Sequence, residues 1–266
     1  MSSNLHFLRA PALFAAFVFA VAAAPPGGAA DSCRAARGAR TVPLVELFTS
    51  EGCDSCPPAD RWLSMQFPPQ AASAPAIALA YHVDYWDRSG WRDRFAKAQF
   101  TQRQREEASA GGGAIVYTPQ VLVQGRDTRA WNRGEALDAI AVAERRPPRA
   151  EVALDIVPGM EALQLRATAS VTDPALRRDA QFWIAFADSG HVTEVAAGEN
   201  RGARLRHDHV VRLLEGPFPF DGGGNGEAKL LVPLPGHPGS APTVVAFVQD
   251  RRTGEVLQAL AVQNCR

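Results

Sequence analysis

The chain has 266 residues, 28 Lys and Arg against 28 Asp and Glu, and 46% hydrophobic residues. That length holds one large domain or two ordinary ones. Zero formal charge excludes the basic surface of a nucleic-acid binder, and the ordinary apolar content excludes wholesale disorder.

Residues 1–30 read as a secretory signal: a short start with Arg9, a thirteen-residue apolar run over 12–24, then small residues ending at Ala29-Ala30. The run is too short to span a bilayer, and no later stretch qualifies. An exported, periplasmic or secreted chain is therefore expected, in a compartment where disulfides persist.

Next comes an apolar strand at 41–48 (TVPLVELF), then a helical pattern over 53–66 that carries two prolines. Residues 76–83 (AIALAYHV) make a second strand, 92–107 a charged helix, 120–124 (QVLVQ) and 128–131 short strands, and 133–145 a third helix. The order β-α-β-α-β-β-α implies parallel pairing through crossovers, closed by an antiparallel hairpin. Arg145-Arg146-Pro147-Pro148-Arg149 reads as a linker. Beyond it, about seven short strand-like runs separated by turn signals point to a β-sandwich. The expected organisation is a signal over 1–30, an α/β domain over 31–146 and an all-β domain over 150–266.

The chemistry concentrates in Cys53-Asp54-Ser55-Cys56, at the start of the first helix. Unpaired N–H groups and the positive end of the helix dipole favour a thiolate at the first sulfur. Cys53 is thus the expected attacking residue and Cys56 the resolving one. Tyr117-Thr118-Pro119 precedes a strand whose start lies beside the end of the first strand. A cis Thr118–Pro119 bond there would leave the Thr118 backbone free to pair with an extended substrate. His82, Asp84, Tyr85, Trp86 and Trp91 form a polar-aromatic run at the same sheet edge. His82, Asp84 and Trp86 are candidate substrate-binding residues, with a His–Asp pair able to move protons; the alternative is a loop packed by its Trp side chains. Two thiolates also suit Cu(I) or Zn, with His82 completing a soft site, and His207 and His209 share a strand face as a two-His metal pair would. Cys33 and Cys265 remain, and elimination pairs them as a disulfide between the two termini of the mature chain.

The segments LFTSEGCDSCPPAD (47–60), YHVDYWDRSGW (81–91), YTPQVLVQG (117–125) and GENRGARLRHDHVVR (198–212) resemble the exported bacterial domain-of-unknown-function family 1223. Residues 41–145 resemble the thioredoxin-like superfamily. The resemblance implies an α/β thioredoxin-like N-terminal domain followed by an all-β, sandwich-like C-terminal domain. It implies a thiol–disulfide oxidoreductase acting through a mixed disulfide on a protein or small thiol or disulfide partner, with no bound cofactor. The alternative is an exported protein that binds Cu(I) or a partner on the same scaffold. Asp54-Ser55 stands where thioredoxins have Gly-Pro, which leaves the redox direction open. Glu46, the one charged residue of 42–48, is expected to be buried or half-buried. Thioredoxin-like enzymes imply a proton-transfer role for it at Cys56; pairing with an Arg is the rival reading.

Overall fold

The computed structural model describes residues 32–37, 40–69, 74–113, 115–233, 242–263 and 265. The expected signal segment lies outside them. The elements run β1 (Cys33–Arg37), β2 (Leu44–Thr49), α1 (Pro57–Gln66), β3 (Ile77–His82), α2 (Ala98–Ala110), β4 (Gln120–Val123), β5 (Arg126–Asp127) and α3 (Glu135–Glu144). They continue as β6 (Glu151–Pro158), β7 (Ala162–Ser170), α4 (Pro174–Arg177), β8 (Ala180–Asp188), β9 (His191–Glu194), β10 (Arg204–His207), β11 (Val210–Phe218), β12 (Asn225–Pro233), β13 (Thr243–Asp250) and β14 (Val256–Gln263).

Eight strands form one mixed sheet in the order β14-β13-β8-β11-β3-β2-β4-β5, and four form a second in the order β1-β6-β7-β12. β2 and β3 are parallel, as a crossover through α1 requires, and β4 returns antiparallel to β2. β2 is buried at every position because both faces of the large sheet are covered. Val45 and Leu47 meet Trp62 and Leu63 of α1 and Ile140 of α3. Leu44 and Phe48 face the other way, toward Tyr81, Phe100 of α2, Trp183 and Phe247. β6 alternates buried and exposed residues, as a strand with one wet face must. Its buried set, Val152, Leu154 and Ile156, packs with Phe182, Ile184 and Val244 of the large sheet.

The structure corrects the expected fold class. The described chain is mostly strand with four helices, and no α/β thioredoxin-like domain stands ahead of an all-β one. β11, from beyond the linker, pairs parallel with β3 at Val210 and Ala80 and antiparallel with β8, so strands from both halves share one sheet. β1 in turn pairs with β6 in the second sheet. The physical reason lies at the outer edge of β3. Left unpaired, that edge would bare a row of backbone donors and acceptors; the chain entering β11 covers part of it, with Ala80 N–H donating to His209 O at 2.8 Å. A disulfide joins Cys33 of β1 to Cys265 beyond β14, with 5.8 Å between Cα atoms. Gly125, at φ +74°, closes the β4–β5 turn against the 254–255 backbone. A Cβ there would stand 1.7 Å from the Gly254 carbonyl oxygen.

Candidate redox site at the end of the central strands

The chain leaves β2 at Thr49 and turns at once into the Cys53–Cys56 loop. Cys53 N–H donates to Ser50 O and Cys56 N–H to Cys53 O, and α1 begins at Pro57 with prolines where no intrahelical N–H is needed. Cys53 and Cys56 form a disulfide with Cα atoms 5.4 Å apart, and both residues are fully buried. The Thr118–Pro119 bond is cis. Thr118 Oγ1 lies 3.4 Å from Cys53 Sγ and accepts from Trp86 Nε1 at 2.7 Å. Gly52 packs so closely on the 86–89 turn that a Cβ would meet Trp86 Cβ at 3.2 Å and Ser89 Oγ at 3.1 Å. Cys53, Cys56, Thr118, Pro119 and Trp86 thus converge on one point.

A buried acid–imidazole cluster lies behind the sulfurs. His82 Nδ1 sits 2.6 Å from Asp93 Oδ2, which also accepts from Glu51 N–H at 2.8 Å. Glu51 Oε2 accepts from Trp91 Nε1 at 2.8 Å. His207 of β10 stacks edge-on against His82 with ring centres 4.9 Å apart. Its Nε2 stands 3.3 Å from Glu51 Oε1, but the alignment is too poor for a hydrogen bond. Both His207 nitrogens, His82 Nε2 and Glu51 Oε1 are buried without a hydrogen-bond partner. Asp60, one helical turn past Cys56 on α1, accepts from Thr49 Oγ1 at 3.2 Å. Burial pushes the Asp60 carboxyl up, against the opposing pull of His207, His82 and Thr49. Burial acts to lower His82, yet the Asp93 carboxylate raises it overall; by the same pairing Asp93 is lowered despite its burial. Burial also acts to raise Glu51, but the close approach of His207, with Thr193 nearby and the Trp91 N–H donating to it, holds it below the usual range.

The β9–β10 hairpin covers the loop from the far half of the chain. Asn200 Nδ2 donates to the carbonyls of Glu51 and Cys53, both at 2.9 Å, and Glu199 Oε2 accepts from Asp54 N–H at 3.3 Å.

Other expected site residues lie elsewhere. Asp84 does not pair with His82. Its carboxylate accepts from Thr101 Oγ1 at 2.5 Å, which ties the loop to α2. Glu46 is buried but stands on the α2 face of the sheet, opposite α1 and the sulfurs. Strand alternation turns it away from Val45 and Leu47. Arg103 holds it with contacts of 2.9 and 2.6 Å, so the Arg-pairing reading describes it and the proton-transfer role at Cys56 fails on orientation. His207 and His209 part company. His209, at φ +59°, bonds through Nε2 to Phe67 O at 2.6 Å, and burial lowers its pKa, which suits a neutral ring donating to that carbonyl. Among the described residues no three His, Cys, Asp or Glu side chains group as a metal site requires, and His82 is engaged by Asp93. Also among the described residues, no helix is long and apolar enough to cross a membrane.

The sequence reading passed over Asp60, Glu51, Asp93 and Asn200, and weighed His207 only as half of a metal pair with His209. The i, i+4 spacing of Cys56 and Asp60 on a helix was a usable signal. Asp93, His207 and Asn200 reach the site through chain crossings that carry no local mark.

These features define a mixed-sheet protein with an internal Cys-x-x-Cys disulfide enclosed by strands of both halves. The chain belongs to the family described as "Protein of unknown function (DUF1223)", whose model matches residues 44–249. Among curated proteins none matches. Two solved structures share the fold. A crystal structure of an Agrobacterium tumefaciens protein is 22% identical with a TM-score of 0.55, covering 84% of this chain and 94% of that one. HBP35 of Porphyromonas gingivalis is 15% identical with a TM-score of 0.60, covering 85% of this chain and 76% of that one.

Proposed function

We propose that the protein is an exported thiol–disulfide oxidoreductase. The observation that carries this reading is the Cys53–Cys56 disulfide itself, with the Thr118 hydroxyl on the Cys53 sulfur and a buried acid at the next helical turn. A bridge across two intervening residues constrains the unfolded chain little, so stability is a poor reason for it. Export is supported by the pattern of 1–30 and by two disulfides, which persist in oxidising compartments.

In the oxidising direction a partner thiolate attacks Cys53 Sγ. The Cys53–Cys56 bond breaks, its electron pair leaves with Cys56, and a mixed disulfide forms on Cys53. A second partner thiolate then displaces Cys53, and the partner leaves oxidised. In the reducing direction the Cys53 thiolate attacks the partner disulfide and Cys56 resolves the mixed disulfide. Asp60 is the group that gives a proton to departing Cys56 or takes one from it. Its raised pKa suits that exchange, and His82 and His207 sit close enough to modulate it. Thr118 orients the Cys53 sulfur and Trp86 holds Thr118.

The test is a Cys56→Ser variant incubated with glutathione disulfide and analysed by intact mass under non-reducing conditions. A single stable glutathione adduct at Cys53 is expected. A Cys53 that stays unmodified while the Cys33–Cys265 bridge is intact overturns the reading.

A further inference from the structure

A hollow of about 450 Å³ opens beside the cis proline, lined by Ile115, Tyr117, Thr118, Pro119, Arg129 and Trp131. Thr118 is shared: its side chain touches Cys53 Sγ on one side and walls the hollow on the other. The hollow therefore comes within one side chain of the sulfur. On the opposite side Asn200 and Glu199 fasten the β9–β10 turn onto the Cys53 loop. A broad protein surface cannot reach a sulfur enclosed in this way; a slender molecule can, once Thr118 turns aside.

The walls select further. Ile115 is 71% exposed, and Trp131 braces the floor by packing on Trp62 with ring centres 5.4 Å apart. The Arg129 guanidinium stands 5.8 Å from the Tyr117 ring centre, and its side chain is 77% exposed. Asp127 faces the same ring. One of its oxygens accepts from Tyr117 Oη at 2.7 Å and the other lies 3.5 Å from Arg129 Nε. Burial and this carboxylate keep the Tyr117 phenol neutral. The hollow thus joins an apolar wall to an exposed guanidinium that Asp127, already accepting from Tyr117 Oη, meets through one long contact of 3.5 Å.

We propose that this hollow is the substrate subsite and that it takes a low-molecular-weight disulfide or thiol bearing a carboxylate, with Arg129 as the residue that selects the charge. The inference rests on the oxidoreductase reading and narrows its partner. With a small disulfide as oxidant, Cys53 and Cys56 thiols lose two electrons and two protons, the protein disulfide forms, and the small molecule leaves as two thiols.

The experiment measures reoxidation of the reduced protein by glutathione disulfide, hydroxyethyl disulfide and cystamine, which are anionic, neutral and cationic, and by a folded protein disulfide. Each is run on the native protein and on Arg129→Gln. Equilibrium dialysis of S-methylglutathione, which cannot exchange, accompanies them. The expected order is anionic, neutral, cationic, with the folded protein slowest. Arg129→Gln should lower the ratio of the anionic to the neutral rate about threefold, the scale of an exposed ion pair. The preference should shrink in high salt. Equal rates for the three small disulfides, or fastest reaction with the folded protein, overturn the proposal. Retention of S-methylglutathione that Arg129→Gln abolishes, without exchange by any disulfide, sustains the subsite and overturns the oxidoreductase reading. Neither retention nor exchange overturns both.

Discussion

Two buried polar clusters flank the central strands, and they are built on different logic. On the α2 face, Arg103 is enclosed by the aromatic rings of Tyr81, Trp183 and Phe247 and serves Glu46, Glu107 and Gln249 at once. Burial acts to lower the Arg103 pKa, but its two carboxylates raise it overall, so it remains a cation. Burial in turn pushes Glu107 up to about 7. At the end of the strands, Glu51, Asp60, His82, Asp93 and His207 are equally shut from water; both clusters keep unpartnered atoms, Glu46 Oε2 in the first and both His207 nitrogens in the second, but these five side chains include no Lys or Arg. The first cluster matches a fixed charge to acids and locks three elements together. The second groups side chains that can each gain or lose a proton, beside a bond whose reduction consumes protons. Neither burial nor a displaced pKa marks a carboxylate as catalytic by itself, as Glu107 shows; what separates the two clusters is which of them lies at the chain segment that carries the Cys53–Cys56 bond.

The sharpest way to break this comparison is at Arg103. Arg103→Met leaves Glu46 and Glu107 buried without their cation, and urea denaturation should register a loss of about 3–5 kcal/mol. Adding Glu46→Gln should recover part of it. A loss below 1 kcal/mol would mean the cluster is not structural.

Removing the other disulfide tests the division of labour between the two bridges. The double variant Cys33→Ser, Cys265→Ser releases a closure across 232 residues and should lower stability by about 2–4 kcal/mol. The rate at which Cys53 exchanges with glutathione should be unchanged, as followed by intact mass.

Asp60→Asn addresses the second cluster directly. Resolution of the mixed disulfide by Cys56 should slow about a hundredfold, the lower end of what a placed acid–base group contributes. Initial attack at Cys53, measured as mixed-disulfide formation, should change little. Stability gives an independent readout. The folded pKa of Asp60 is raised above the ordinary 3.8, so above that value the fold still holds a proton that the unfolded chain has released. Native stability therefore falls as pH rises from 3.8 through the folded pKa, and Asp60→Asn should remove that fall. A denaturation series across the acid range that is parallel for the two proteins would exclude a buried, proton-holding Asp60.

The smallest expected effect is at Trp86. Trp86→Phe keeps an aromatic ring, smaller than the indole, and deletes the donor to Thr118 Oγ1, a hydrogen bond worth about 1 kcal/mol. Cys53 should then react less selectively among small disulfides. Unaltered selectivity would mean Thr118 needs no such support.

The amino-acid pattern alone carried much of the site. Cys53 and Cys56 three apart after an apolar strand, and Thr118-Pro119 before another, are local signals, because helix starts and strand starts are written in neighbouring residues. Elimination among four Cys paired 33 with 265 for the same kind of reason: few choices exist. The β2-α1-β3-α2-β4-β5-α3 order was legible from periodicity, although the strand expected at 128–131 is absent there and β5 lies at 126–127, and most of the strands beyond the linker were legible too, β9 excepted. Glu46 was legible as buried, since a carboxylate in an all-apolar run has few other places to be.

Tertiary structure decided what the pattern could not. Which face Glu46 occupies depends on register, and one residue of slip exchanges α1 for α2. Whether the later strands make a domain of their own or extend the first sheet depends on which edge β11 completes. A strand's sequence describes its faces; its hydrogen-bonding edge is backbone and the same in every sequence. For that reason the division into an α/β unit and a β unit was readable but wrong, and Asn200 and His207 could not be placed at the sulfurs beforehand. They arrive there because β11 pairs with β3 and carries the β9–β10 hairpin over the ends of β2 and β3.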